Sequence, residues 1–399
     1  MSANIKFADR IVGLEPAAVY EILKHTASGN VIAFAAGNPS PDAFPHEEVA
    51  ELTQKILKEN PITALQYGLT QGYEPLRQLL VPYLADTHGV GNADDRVLIA
   101  SGATQAIELV TKVFCNEGDT VITENPSFIG SLNSFRSYAL NCVGVDMEFD
   151  GMNMEMLEET LKASKNVRMI YVIPNFQNPS GWTMSLEKRK RLYELALKYG
   201  ALILEDNPYG DLRYSGEDVP SIKSFDTEGI VLYAGSFSKV IAPALRVGYL
   251  LTPSRFFDKL AAAKQASDVH SPVLNQMIVY EFMKKYGLND HIAKICGIYR
   301  RKLQLTLDGI EKHLGGLTYV KPEGGLYVFC RLPDHIDMLD YCKKALGAGV
   351  AVVWGSAFLV DDTQKSQYFR INFSSPTDEQ LVRGIEILGQ VYAEMEAGD

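Results

Sequence analysis

Long apolar runs are missing from this sequence. None approaches the roughly 18 residues of a membrane-spanning helix, and residues 1–13 contain no apolar core of signal-peptide length. Basic excess is missing too: Lys and Arg number 38 against 49 Asp and Glu, a net charge of −11. A surface for nucleic-acid phosphates rests on the opposite balance. No G-x-G-x-x-G opens a helix and no G-x-x-x-x-G-K-[ST] occurs, which disfavours a nucleotide cup. The 5 cysteines, Cys115, Cys142, Cys296, Cys330 and Cys342, are odd in number and show no paired spacing. They are read as buried, reduced thiols rather than bridges or metal ligands. Repeats, low-complexity tracts and long linkers are absent. The expectation from these absences is a cytoplasmic protein with no membrane, metal or nucleic-acid partner.

At 399 residues the chain exceeds the size at which one core keeps growing, so two subdomains are expected. Short apolar strands alternate with longer amphipathic helices, the pattern of an α/β protein with a mainly parallel sheet. Strands are expected over 97–100, 120–123, 168–173, 201–205 and 230–234, then over 318–320, 326–330, 350–353 and 368–373. Helices are expected over 16–24, 45–58, 105–114, 185–199, 255–267, 272–285 and 289–313. The helix after Gly72 carries Leu76, Leu79, Leu80, Tyr83 and Leu84 on one stripe, which is core and not a cofactor site. Thr377-Asp378-Glu379-Gln380 is a capping box for the last helix.

The chemistry gathers around Ser236-Phe237-Ser238-Lys239 and Arg246. A lysine beside a turn is by default solvated, but this one follows a buried strand and has two hydroxyls and an arginine as neighbours. That grouping suits an anionic carbonyl compound: lysine forms Schiff bases when its pKa is lowered, and Ser236, Ser238 and Arg246 supply phosphate donors. The same four residues formally match the S-x-x-K of penicillin-binding acyl hydrolases, whose S-D-N and K-T-G partners this chain lacks. Other candidates occupy the same kind of position. Gly102-Ala103-Thr104 turns from a strand into a helix, where free N–H groups meet anions. Phe128, Asn178, and the run Asp206 to Tyr209 each follow a strand, and Gly37 lies in an Ala-Gly-Asn-Pro turn that lets backbone approach a ligand. Singly, each has an ordinary reading as core, turn or cap. Together they crowd the carboxyl edge of an open sheet, where α/β ligands bind.

At these residues the chain resembles the fold type I pyridoxal-phosphate (PLP) enzymes, class I/II aminotransferases, nearest the kynurenine/aminoadipate and MocR-like branch. The resemblance covers nearly the whole chain and is carried by Pro174-Asn175-Phe176-Gln177-Asn178-Pro179-Ser180-Gly181, Glu205-Asp206-Asn207-Pro208-Tyr209 and Gly235-Ser236-Phe237-Ser238-Lys239 with Arg246. It implies a large domain over 46–280 with a seven-stranded, mostly parallel sheet, and a smaller α+β domain combining an N-terminal arm (1–45) with 281–399. It implies that Lys239 holds PLP and moves protons, that Asp206 pairs with the pyridine nitrogen, and that Asn178 and Tyr209 bond the ring oxygen. Gly102, Ala103, Thr104, Ser236, Ser238 and Arg246 would hold the phosphate, and Phe128 would cover the ring where relatives often carry tyrosine. Arg370 would grip the substrate α-carboxylate, with Gly37 and Asn178 beside it. Tyr67 would reach the phosphate of a neighbouring subunit, making a homodimer with shared sites.

The implied reaction moves an amino group from an L-amino acid to a 2-oxo acid such as 2-oxoglutarate by a ping-pong mechanism. The aminoadipate branch tends to place an arginine just before Glu-Ile-Leu-Lys in the first helix. Here Tyr20 precedes Glu21-Ile22-Leu23-Lys24, which favours neutral side chains, aromatic or aliphatic. A C–S or β-lyase on the same scaffold would share every residue above. A MocR-type ligand sensor would need a DNA-binding domain ahead of an arm that here starts within the first twenty residues.

Overall fold

The computed structural model of the protein describes residues 5–12, 14 and 31–398. The helix expected over 16–24, and Tyr20 with it, lies outside them. In chain order the strands are β1 (Ile32–Ala33), β2 (Asp95–Ala100), β3 (Thr120–Asn125), β4 (Asn141–Glu148), β5 (Gly151–Met152), β6 (Val167–Val172), β7 (Leu202–Asp206), β8 (Val231–Ser236), β9 (Gly248–Pro253), β10 (Thr318–Tyr319), β11 (Tyr327–Arg331), β12 (Val350–Ala351), β13 (Val353–Trp354) and β14 (Tyr368–Asn372).

The main sheet has 8 strands in the order β2-β9-β8-β7-β6-β3-β4-β5. All 6 residues of β8 are buried, as are 4 of the 5 in β7, because both faces of the sheet are covered. Such strands read as continuous apolar runs instead of alternating ones. The pairs β8–β7, β7–β6, β6–β3 and β3–β4 are parallel, whereas β9 runs antiparallel to both β8 and β2. Two reversals restore direction, so β2 points the same way as β8, β7, β6, β3 and β4. Their carboxyl ends share one edge, and β9 starts from that edge.

Seven of these strands make the expected sheet. The eighth, β5, is a two-residue antiparallel strand against β4, too short to show a pattern in sequence. β4 and β9 are not among the strands expected individually: β4 is mostly half-exposed, so it lacks a clean apolar face.

Residues alternate between two cores on opposite faces of the sheet. Val121, Met169, Tyr171, Leu204 and Leu232 pack on one side, and Ile122, Ile170, Val172, Ile203 and Val231 on the other. Each fully buried side chain of this size is worth about 1.5–3 kcal/mol. The helix Leu186–Tyr199 begins where Ser185 accepts from the Lys188 N–H and ends at Gly200, whose φ of 71° is left-handed. Thr377 and Gln380 form the expected capping box on Asp378–Glu396, and that helix packs along Leu288–His313. A separate antiparallel sheet, in the order β10-β11-β14-β13, carries Arg370 between Phe329 and Val353.

None of the cysteines is bridged. Cys296, Cys330 and Cys342 are buried as expected, but Cys115 and Cys142 are only partly so. No described helix is long and apolar enough to cross a membrane.

Candidate active site

The shared edge of the sheet opens onto a cavity of about 420 Å³. Its walls include Gly37, Ala103, Thr104, Phe128, Asn178, Asp206, Tyr209, Ser236, Ser238, Lys239, Arg246 and Arg370. Residues far apart in the sequence thus meet where the topology predicts a ligand. Of the remaining expected site residues, Gly102 lies directly behind Ala103. Tyr67 is 81% exposed, with its ring edge-on to His270, and is not among the residues lining this cavity. Tyr20 lies outside the described residues.

Lys239 stands three residues past β8. Its Nζ donates to the Gly37 carbonyl at 2.7 Å. Desolvation, with the nearby charges of Arg370 and Arg246, lowers its pKa to about 8. The neutral fraction near pH 7 is therefore about a tenth, far above that of an ordinary lysine, and a neutral amine is what attacks a carbonyl.

The same wall carries an anion cradle. Gly102, at φ 85°, caps the helix Ala103–Phe114, and the N–H groups of Ala103 and Thr104 make no hydrogen bond among the described residues. Gly248 permits the close approach there: a Cβ on it would sit 2.8 Å from the Gly102 carbonyl carbon. Arg246 adopts a left-handed φ of 52°, which brings its guanidinium across Gly102 to donate to the Ser101 carbonyl at 2.8 Å. Ser236 Oγ accepts from the Ser238 N–H at 3.1 Å. Open N–H groups at a helix start, two hydroxyls and an arginine suit a phosphate dianion.

Asp206, the last residue of β7, lines the same cavity. Its Oδ2 accepts from Tyr171 Oη at 2.7 Å, and its Oδ1 has no partner although the atom is buried. Burial pushes its pKa up to about 7. A buried carboxylate oxygen left open calls for a donor from a ligand, and a protonated ring nitrogen provides one. Asn178 Nδ2 and the Tyr209 hydroxyl lie 3.3 Å apart, placed to meet a ring oxygen together.

Arg370 completes the wall. Its Nη1 donates to Asn178 Oδ1 and its Nη2 to the Ala35 carbonyl, both at 2.7 Å. The guanidinium lies over the rings of Tyr327 and Phe358, at 4.5 and 4.8 Å. It is 3% exposed, its Nε is unpartnered, and no carboxylate pairs with it among the described residues. A buried arginine in that condition is a receptor for an anion.

The amide-rich loop after β6 divides its labour. Asn175 bonds Asn207 and Arg189, and Gln177 bonds Glu124 and the Pro126 carbonyl. Asn178 alone faces the cavity. Two residues here were not expected from sequence. Tyr327 presents its hydroxyl 3.3 Å from that of Tyr209 and lines the cavity. Its only signal is the Gly324-Gly325 turn before it. Arg189, fully buried, donates to the carbonyls of Pro174, Met184, Val219 and Pro220 and thereby fixes the loop's start.

The raised pKa of Asp206 gives a stability prediction for the cofactor-free protein. Its proton is held more tightly folded than unfolded, so the fold is penalised increasingly as pH rises from about 4 to about 7 and fully above that. The full penalty is on the order of 4 kcal/mol. Asp206→Asn keeps an acceptor for Tyr171 and removes the charge. The variant should melt higher than wild type at about pH 8, and the gap should close near pH 4. Equal melting temperatures at pH 8 would show that the carboxylate is not desolvated.

The model of the family "Aminotransferase class I and II" matches residues 29–388. The aromatic-amino-acid aminotransferase 1 of Thermococcus litoralis is 37% identical over 393 residues, covering 97% of this chain and 94% of that protein. The 2-aminoadipate transaminase of Thermus thermophilus is 34% identical, covering 94% of each. Among solved structures, the kynurenine aminotransferase of Pyrococcus horikoshii, determined in complex with PMP, superposes with a TM-score of 0.93 at 35% identity, covering 98% of this chain and 97% of that one. The chain belongs to the class I and II aminotransferases, and its cofactor is pyridoxal phosphate.

Proposed function

We propose that this aminotransferase takes the amino group of a neutral L-amino acid, aromatic or aliphatic, and passes it to a 2-oxo acid such as 2-oxoglutarate in a ping-pong cycle through Lys239. The observation that carries the reading is Arg370, a buried guanidinium with an open Nε and no acidic partner among the described residues. It fits the α-carboxylate common to both substrates.

Bound pyridoxal phosphate supplies the carbonyl that accepts the amino group and an electron-poor ring that stabilises charge at the substrate Cα. Lys239 Nζ, kept partly neutral by desolvation, takes the proton from that Cα. Asp206 Oδ1 would accept the hydrogen bond of the protonated ring nitrogen. Tyr209 and Asn178 would bond the ring oxygen, and Phe128 would lie against the ring. The helix start at Ala103 and Thr104, with Ser236, Ser238 and Arg246, holds the phosphate.

The neutral preference rests on charge. Among the described lining residues the cations are Lys239, Arg246 and Arg370, and each already has a task. None remains for a second carboxylate. Tyr20, in place of arginine before Glu21-Ile22-Leu23-Lys24, agrees. Relatives named for aromatic substrates and for 2-aminoadipate stand on either side of the question. The test is kcat/KM for phenylalanine, leucine and methionine against aminoadipate and aspartate, in wild type and Tyr20→Arg. Wild type should prefer the neutral donors, and the variant should shift the ratio toward the acidic ones. Preference for acidic donors, or an unmoved ratio, rejects the assignment.

Tyr67 works in trans on this reading. It stands in an exposed apolar stretch with Ile62, Leu65 and Leu69, 77%, 71% and 61% exposed, which suits the face of a second copy. Lys239→Ala and Tyr67→Ala chains, each inactive alone, should recover activity after subunit exchange, because each heterodimer then holds one complete site. Heterodimers without recovered activity, or a monomer at working concentration, would reject it.

A further inference from the structure

Alternation along β6 puts Met169 and Tyr171 toward one core and Ile170 and Val172 toward the other. Tyr171 stands in register with Leu204 of β7, so Tyr171, Leu204 and Asp206 share a face of the sheet. Phenylalanine would satisfy the burial at 171 equally well. The hydroxyl is therefore the feature to explain, since a buried hydroxyl destabilises unless it is bonded.

It is bonded twice. Tyr171 Oη donates to Asp206 Oδ2 at 2.7 Å and accepts from Ser131 Oγ at 2.8 Å. Ser131 and Tyr171 are both essentially inaccessible, at 1% and 0% exposure. Ser131 belongs to the helix Ile129–Ser137, whose N-cap is Phe128. Phe135 of the same helix meets the Tyr171 ring edge-on, with centroids 5.4 Å apart. One helix thus begins at the aromatic wall of the cavity and, within its next two turns, fixes Tyr171 by both ring and hydroxyl.

The direction of the chain of bonds follows from donor chemistry. Asp206 Oδ2 accepts whether or not Oδ1 carries a proton, so Tyr171 donates to it, and a lone pair of the phenol oxygen takes the Ser131 hydrogen. Oδ2 is committed to the protein, while Oδ1 is left without a partner on a residue that lines the cavity. Among the described residues no other side chain bonds the carboxylate.

We infer that Tyr171, oriented by Ser131, is a positioning residue that holds the Asp206 carboxylate by Oδ2, leaving Oδ1 for the pyridine nitrogen of the cofactor. This rests on the reading of Asp206 as the ring partner. Tyr171 touches neither cofactor nor substrate and acts only through Asp206, so its effect should disappear when Asp206 is removed.

The test is a double-mutant cycle on cofactor affinity, measured by titrating pyridoxal phosphate into cofactor-free protein. Tyr171→Phe should weaken binding about tenfold or more, as expected for a lost hydrogen bond to a charged group, and Ser131→Ala about threefold. In an Asp206→Ala background, itself weakened, neither change should move affinity beyond about twofold. Tyr171→Phe within twofold of wild type, while Asp206→Ala binds weakly, would overturn the inference and leave the ring-partner reading intact. Equal losses with and without Asp206 would show a packing role only, and overturn it as well. Wild-type affinity in Asp206→Ala would remove the ring-partner reading and the inference together. If Tyr171→Phe does not fold, Ser131→Ala alone and with Asp206→Ala separates the same outcomes. A threefold loss seen only while Asp206 is present supports the relay, and no loss or an unchanged loss overturns it.

Discussion

Lys239→Ala should lose turnover by about 10²–10⁴-fold or more and lose the visible absorbance band of the lysine-bound cofactor. Lys239 is the one lysine on the described cavity wall, and its Nζ donates to the Gly37 carbonyl there. Alanine can neither bond a carbonyl nor carry the Cα proton, and no neighbouring base replaces it: Asp206 is held by Tyr171 at Oδ2 and reserved for the ring nitrogen at Oδ1, and Arg246 and Arg370 stay protonated. The variant should still bind pyridoxal phosphate weakly, because the helix start at Ala103 and the donors of Ser236, Ser238 and Arg246 are intact. Spectra and initial rates on the purified variant decide it. Near wild-type rates would reject the role of Lys239 outright.

Asp206→Ala ranks next. It strips the acceptor from a ring nitrogen that pairs with a residue only 2% exposed, and breaking a buried charged pair from one side costs on the order of 3–5 kcal/mol. If the cost falls on the transition state, kcat/KM drops by roughly two to three powers of ten. Steady-state kinetics at saturating cofactor measures it, and a loss below tenfold would mean that Asp206 is not the ring's partner.

These two residues were legible in the sequence for a topological reason. Parallel strands deliver their ends to one edge, so strand-terminal Asp206 and the Ser236–Lys239 turn had to be neighbours even though no local signal connects them. The anion cradle was legible in the same way, from a strand running through Gly102 into a helix. What stayed hidden depended on contacts between distant segments. Tyr327 reaches Tyr209 across 118 residues and Asn178 across 149, from a strand of a different sheet. Arg189 lies in the run Glu187-Lys188-Arg189-Lys190-Arg191, which reads as a solvated helix face, yet its guanidinium is buried among loop carbonyls. Tyr171 sits in an apolar strand where its ring looks like core, and only the β6–β7 register shows its hydroxyl beside Asp206. The loop amides divided: Gln177 serves the turn by accepting from the Ser180 N–H, Asn175 ties the loop to Asn207 and Arg189, and only Asn178 reaches the cavity.

The most direct measurement is a single half-reaction. Cofactor-loaded enzyme is mixed with excess L-phenylalanine and no 2-oxo acid, and keto acid, ammonia and the cofactor spectrum are followed together. An aminotransferase working through Lys239 should form one equivalent of keto acid per site, convert the cofactor to its aminated form, release no ammonia and stop until 2-oxoglutarate is added. Continued keto-acid formation with matching ammonia would instead show a lyase-type or deaminating reaction and contradict amino-group transfer as this protein's chemistry.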